Sequence, residues 1–217
     1  MNVHNYLLHA LTVFMGFFAM LNPLGNLPIF VDMVKNLDEK TQRKIARKSV
    51  MVAFFIIFFF CIFGHLLFRI FGITLPAFQI AGGIIVFFMG YNMLTGKEST
   101  IATADHTRKS ERARIADDLA ITPLGTPLLA GPGTISAAMN FVGIEKSILN
   151  GLIVVSIFGI MCVITYFLFL YGQKLFEKLG PDILKVIGRI MGLILAVIAI
   201  QLMINGVEGT ISIFKQS

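Results

Sequence analysis

Two short clusters hold the residues whose types and spacing could do chemistry. The first is Asn22-Pro23-Leu24-Gly25-Asn26-Leu27-Pro28, and the second is Ala130-Gly131-Pro132-Gly133-Thr134-Ile135-Ser136. Each lies in an apolar stretch long enough to cross a bilayer, which takes roughly 20 residues. A proline inside a helix removes a backbone donor and disfavours the helix by about 3 kcal/mol. In hydrocarbon the freed N–H and C=O groups must be satisfied by protein or trapped water, so such breaks belong in a bundle interior, lining a cavity. After each break a new half-helix begins, and Pro28 and Pro132 suit its first turn. The two new N-termini are expected to meet near the midplane, where unpaired N–H groups and positive dipole ends attract an anion or a carboxylate. The half-helices before the breaks end in free carbonyls, which attract an ammonium group. Asn22, Asn26, Thr134 and Ser136 add uncharged hydrogen-bonding groups. The candidate substrate-binding residues are therefore Asn22, Pro23, Gly25, Asn26, Gly131, Pro132, Gly133, Thr134 and Ser136. The alternative is a pair of proline kinks that only shape packing.

What the clusters lack also bounds their chemistry. Neither contains Asp, Glu, Lys or Arg, and Asp32 follows Asn26 by six residues, roughly 9 Å at about 1.5 Å per helical residue. A pocket with both dipole polarities and no fixed charge suits a small zwitterion or a neutral polar solute. Asp32, His65, Asp117 and Asp118 are the titratable groups that could couple movement of such a solute to protons. The chain has no H-E-x-x-H, no Walker motif and no G-x-S-x-G, and Ser136 has no base near it in sequence, so no enzyme activity, metal site or cofactor is expected. Cys61 and Cys162 stand alone in apolar runs and read as small buried hydrophobes.

The elements that must position these clusters are membrane spans. Of 217 residues, 56% are hydrophobic and 14% charged, against about 25% charged in ordinary soluble domains. The mean hydropathy is +0.83. That balance excludes disorder, a nucleic-acid-binding domain and most soluble enzymes. Six spans are placed near 6–34, 45–71, 76–95, 119–142, 149–172 and 183–206, which predicts an all-α polytopic membrane protein. The first span lacks the basic flank of a secretory signal. Fifteen of the 18 lysines and arginines fall in the loops after spans one, three and five, while Arg69, Lys146 and Lys215 fall on the other side. That bias makes the basic loops cytoplasmic and puts both termini outside, and it accounts for the net charge of +6 without nucleic acid.

The third and sixth spans match at an offset of 110: Ile80 with Ile190, Gly82 with Gly192, Ile84 with Ile194, Met93 with Met203 and Gly96 with Gly206. Pro23 and Pro132 match at nearly the same offset. Two halves of three spans each, 1–96 and 119–217, joined by a cytoplasmic linker loop at 97–118, form a 3+3 inverted repeat, with spans one and four broken at the midplane. Gly188 with Gly192, and Ala77 with Ala81, are small-xxx-small pairs for close helix packing, within the chain or against a second copy in a homo-oligomer. Gln79, Asn92, Thr165, Gln201 and Asn205 are expected to hydrogen-bond between helices, with Gln201 deepest and nearest the cavity. The segment from Asp38 to Lys48 reads as a solvated helical lead-in, and the 21 Phe as lipid-facing filler.

At Asn22-Pro23-Leu24-Gly25-Asn26-Leu27-Pro28-Ile29-Phe30, at Ile80-Ala81-Gly82-Gly83-Ile84, at Pro123-Leu124 and at Pro127-Leu128-Leu129-Ala130-Gly131-Pro132-Gly133-Thr134-Ile135, the chain resembles the MarC family (UPF0056) of bacterial and archaeal membrane proteins. The resemblance spans essentially the whole chain. It implies a six-span transporter of the lysine-exporter superfamily, and for some members a cargo of small neutral amino acids such as glycine and alanine. With the residues, it makes the expected function secondary transport of a small neutral amino acid or similar zwitterion by alternating access, in a bacterial plasma membrane. The alternatives are a passive channel or facilitator and a membrane scaffold or regulator without cargo.

Topology is directly measurable. Cysteines introduced at Thr41 and Ser99 should react only with thiol reagents that reach the cytoplasm, and cysteines at Ser147 and Ser217 with impermeant reagents from outside. Reversed labelling would overturn the charge argument.

Overall fold

The computed structural model describes residues 3–95, 129–144 and 148–216. The linker at 97–118, with Asp117 and Asp118, and the start of the fourth span, with Pro123 and Pro127, lie outside the described residues. So do Gly96 and the labelling positions Ser99, Ser147 and Ser217. All regular structure in the described residues is helical. The helices are α1 (Val3–Leu21), α2 (Pro23–Val34), α3 (Glu39–Phe71), α4 (Leu75–Thr95), α5 (Pro132–Ile144) and α6 (Ile148–Gln216). Five stretches are long and apolar enough to cross a membrane: Tyr6–Val34, Glu39–Phe71, Leu75–Thr95, Leu149–Gly172 and Lys185–Lys215. The chain is a polytopic all-α membrane protein.

The helix ends follow local chemistry. Asp38 caps α3, its carboxylate accepting from the Thr41 backbone N–H at 3.1 Å. At the other end Gly72 takes the left-handed conformation (φ 64°), and the Ile73 N–H closes back onto the Phe68 carbonyl at 2.8 Å. That is a Schellman stop, where a side chain would be strained. Thr74 then caps α4 through Ala77 N–H. Gln42 reaches back from α3 to the Val34 and Leu37 carbonyls, tying off the end of α2. α6 is two arms, because Gly180 (φ 77°, ψ 158°) is non-helical. The residue before a proline is pushed out of the α region, and Pro181 follows here.

The core sits where α1, α2, α3, α5 and the first arm of α6 converge. Phe17 lies edge-on to Phe141 and Phe158, and Phe30 stacks on Phe169 at 4.2 Å. Phe17, Phe30 and Phe158 are fully buried. The reading of phenylalanine as lipid-facing filler is corrected at these positions: at helix seams a flat ring fills the gap between two backbones. Phe55, Phe58, Phe59 and Phe63 do lie exposed on α3, where lipid would cover them.

α4 packs along the second arm of α6, antiparallel, through glycine. A Cβ on Gly90 would stand 2.7 Å from the Gly192 carbonyl oxygen, and one on Gly192 would stand 2.8 Å from the Gly90 carbonyl oxygen. Gly83 meets Ala199 and Met203, and Gly206 meets Pro76 and Ile80. Hydrocarbon gives helices no hydrophobic drive to associate, so close backbone approach supplies the attraction instead. Gly188, the other half of its small-xxx-small pair, faces open space. Thr165 bonds the Met161 carbonyl, and Gln201 bonds Asn205. These bonds lie within one helix rather than between helices, because partners four residues apart on one helix are the nearest available.

One end of the bundle gathers the start of α1, the α3–α4 corner, the end of α5 and the end of α6. His9 Nε2 meets Asn150 Oδ1 at 2.6 Å there, while Asn150 Nδ2 donates to the Phe141 carbonyl. The other end gathers the α2–α3 turn and the Gly180 break.

Replacing Gly90 or Gly192 with Val should lower stability by about 1–3 kcal/mol through overpacking. Gly188→Ala should be neutral or mildly stabilising. Thermal unfolding in detergent, followed by exposure of the buried Cys162 thiol, separates the two classes.

Candidate functional site

The first cluster forms a sharp, fully wired discontinuity. α1 continues to Leu21, and Asn22 then turns left-handed (φ 45°, ψ 56°) before α2 starts at Pro23. Asn22 is the only described non-glycine residue with positive φ, a conformation asparagine tolerates better than most residues. Its Oδ1 accepts from the Gly25 N–H at 3.1 Å, capping α2. In return, Asn26 Nδ2 donates to the Leu21 carbonyl at 2.8 Å, capping α1. Each asparagine thus satisfies the helix end that the other's side has broken. Both are buried, so water would not do this for them. Pro23 occupies the first helical position, where its missing donor matters least. Pro28, expected in that first turn, is instead the sixth residue of α2; the left-handed Asn22 starts the half-helix earlier than the second proline implied.

The second cluster starts α5. Leu129 is π-helical, Ala130 lies in a bend, Gly131 immediately precedes the helix, and Pro132 is the first residue of α5. The Gly131 carbonyl accepts from the Ile135 N–H at 3.0 Å. Gly131, Gly133, Thr134 and Ser136 are buried. Among the described residues, Ser136 Oγ is a buried side-chain polar atom with no hydrogen-bond partner. It lies on the α5 stripe between Pro132, whose carbonyl approaches Gly82 of α4, and Met139, whose thioether covers Gly64 of α3.

α4 adjoins both clusters. Met93 Sδ lies 3.6 Å from Asn22 Nδ2, and Val86 packs on Gly133. Gly82, Val86 and Met93 share one face of α4 at spacings of four and seven. Met20, the residue before Leu21, also reaches Gly133: a Cβ there would lie 3.2 Å from its Sδ. A cavity of about 300 Å³ lies on the side of the chain termini, with Met20 and Ala137 in its lining; none of the nine candidate residues lines it. Met15, Met20, Ala137, Asn140, Gln201 and Asn205 are among its lining residues. Gln201 lines this cavity but is exposed and shares its amide with Asn205; Gln79 and Thr165, not Gln201, are the deep polar residues of the spans. Asn140 is the lining residue that the sequence reading missed; it sits one turn beyond Ser136 on the same half-helix.

The coupling candidates stand apart. Asp32 is exposed and paired with Lys35 at 2.6 Å, and His65 is exposed on α3. All described buried polar residues (Asn22, Asn26, Ser49, Gln79, Thr134, Ser136, Asn150 and Thr165) are uncharged. Among the described residues no group of three His, Cys, Asp or Glu could hold a metal ion.

Comparison with known proteins fits this architecture. The family model described as MarC family integral membrane protein matches residues 7–211. The chain belongs to the MarC family. It is 39% identical to the UPF0056 membrane protein YvbG of Bacillus subtilis, covering 91% of this chain and 93% of that one. It is 33% identical to the UPF0056 membrane protein MJ1677 of Methanocaldococcus jannaschii, covering 94% and 98%. With the UPF0056 membrane protein PH0760 of Pyrococcus horikoshii the identity is 35%, over 95% and 100%. No solved structure matches this MarC protein.

The reciprocal caps give a stability signature. Asn26→Ala leaves the Leu21 carbonyl buried and unsatisfied and should destabilise by about 1–3 kcal/mol. Asn22→Gly keeps the left-handed conformation but leaves the buried Gly25 N–H without its acceptor, and should lose about 1–3 kcal/mol. Asn22→Ala loses the cap and adds about 1–2 kcal/mol of strain. Both Asn22→Ala and Asn26→Ala should melt below the wild type in detergent, with Asn22→Ala below Asn22→Gly.

Proposed function

We propose that this MarC protein is a secondary transporter that carries a small neutral amino acid or similar zwitterion by alternating access. The observation that carries the reading is the second cluster: a half-helix starting at Pro132 whose buried Ser136 hydroxyl is unpartnered. A buried hydroxyl without a partner is disfavoured unless something visits it. The neighbouring first cluster adds an uncharged, rigidly capped helix N-terminus, and the cavity on the side of the termini comes within one residue of Ser136, at Ala137. In this reading Asn22, Pro23, Gly25 and Asn26 shape one wall through their backbone. Gly131, Pro132, Gly133, Thr134 and Ser136 supply the other, with Ser136 and the helix dipoles holding cargo.

The proposal takes the chain as two inverted halves, 1–96 and 119–217, rocking about the clusters. The α4–α6 seam supports this. The Gly192–Met93 contact carries over, at the offset of 110, to Gly82–Met203, one residue from the Gly83–Met203 contact. Both termini would face outward, and the basic loops the cytoplasm of a bacterial cell. Any proton coupling would act at a distance, through Asp32, His65, Asp117 or Asp118.

Proteoliposomes loaded with unlabelled glycine or alanine and given labelled amino acid outside test this reading. Saturable uptake with counterflow is expected. Unsaturable flux would favour a channel, and absence of flux for every solute a scaffold. Ser136→Ala should leave the melting temperature unchanged or higher. It should raise the half-saturating concentration by roughly two- to twelvefold, the equivalent of one hydrogen bond of about 0.5–1.5 kcal/mol. Unchanged uptake in that variant would remove the site from the second cluster.

A further inference from the structure

A second cavity, of about 540 Å³, lies on the opposite side of the core, between α3 and the first arm of α6. It belongs to neither cluster. Its α3 wall runs from Arg47 through Met51 and Phe54 to Phe55, and its α6 wall runs from Gly159 through Val163 to Tyr166. These are single helical stripes at spacings of three and four. The helices are antiparallel, with Gly159 facing the ring of Phe54. Seven residues before Phe54 is Arg47, and seven after Gly159 is Tyr166, so both polar side-chain ends share one end of the groove. Eight residues from Arg47 to Phe55 give it a length of roughly 12 Å at about 1.5 Å per residue.

The rims are apolar and open. Met51 is 43% exposed, Phe55 59% and Val163 54%, on faces that look into the bilayer. At the basic end, Arg47 stands outside the ion pairs of its neighbours. Arg43 pairs with Glu39, and Lys35 with Asp32, whereas Arg47 has no ion pair among the described residues. Gly159 leaves the floor empty where a larger side chain would fill it.

We propose that this groove binds an anionic phospholipid. Arg47 holds the phosphate, with the Tyr166 hydroxyl as a second donor. One acyl chain lies along Phe54, Phe55, Gly159 and Val163. The guanidinium presents a donor fork that matches phosphate geometry. A guanidinium with no ion pair among the described residues favours a headgroup with net negative charge over one carrying its own ammonium. The apolar length selects a lipid over a free phosphate, which would gain nothing from the two helical stripes.

The chain contains no tryptophan, so one introduced residue reports its own surroundings. Phe55→Trp places a reporter in the groove, and Val197→Trp places a control on an exposed face of the second arm of α6. Each is reconstituted in vesicles containing brominated phosphatidylglycerol or brominated phosphatidylcholine, at constant total charge supplied by unbrominated lipid. The groove reporter should be quenched by the anionic lipid at severalfold lower mole fraction than by the zwitterionic one. The control should show no preference. Arg47→Gln should abolish the preference while the melting temperature holds. Gly159→Leu, which fills the groove and leaves Arg47 in place, should reduce quenching of the groove reporter by both lipids. Equal quenching by the two lipids at Phe55→Trp would overturn the proposal, as would a preference that survives Arg47→Gln.

Discussion

The structure depends on one constraint: a helix may end inside this bundle only if its loose backbone groups find partners in the protein. Asn22 and Asn26 meet that constraint at the first cluster with two hydrogen bonds, the Asn22 side chain reaching forward to accept from the Gly25 N–H and the Asn26 side chain reaching back to donate to the Leu21 carbonyl. Buried carbonyls and amides left bare would cost about 1–3 kcal/mol each. Serine could cap α2 from position 22, but it tolerates the left-handed turn less well. A shorter donor at position 26 would not reach five residues back to Leu21. The residue types follow from geometry, and so does the rigidity. A discontinuity held by two short buried bonds is a fixed corner, not a flexible joint.

A fixed corner must rest on something that does not move away from it, and α4 provides this. Its glycines let it approach the second arm of α6 so closely that backbone touches backbone at Gly90 and Gly192. The face carrying Gly82, Val86 and Met93 then reaches both clusters. Small residues therefore act twice on one helix. They fasten α4 to α6 on one side and admit the start of α5 on the other, where Pro132 approaches Gly82. The methionines in these contacts fill irregular gaps beside the bends that a branched side chain would not fit.

Much of the fold was legible because membrane spans obey a simple length rule. The first and fifth spans match their structural bounds, and Asp38 caps α3 where the charged lead-in was read. The position of the first break was legible from Asn22 and Pro23, but two prolines competed for the same role. Only backbone geometry shows that Pro28 continues the helix. The work of Asn22 and Asn26 was not legible either: polar groups four residues apart look alike whether they face a solute or each other's backbone. Gln201 pairs with Asn205 and Thr165 with Met161 for the same reason, since partners on the same helix are invisible to a reading that looks for partners across helices. The split of phenylalanine between core and lipid depends on which face of each span meets its neighbours, a tertiary fact. Gly180 with Pro181 marks the boundary in α6, and its signal was present in the dipeptide.

The two clusters differ in a way that bears on any function assigned to them. The first spends its side-chain polarity on its own backbone, and leaves little to offer a solute. The second starts its helix with proline and glycine, and keeps the Ser136 hydroxyl free in a fully buried position. Stability alone gives no reason for this, since alanine would pack as well without a stranded polar atom. If the two halves were once equivalent, they have separated into a wall that is fixed and a wall that retains an open hydrogen-bonding position. Cargo recognition by the proposed transporter would then rest on α5 and on the carbonyls and amides around Gly131. The asparagines of the first cluster would set where that recognition takes place by holding the opposite helix ends still.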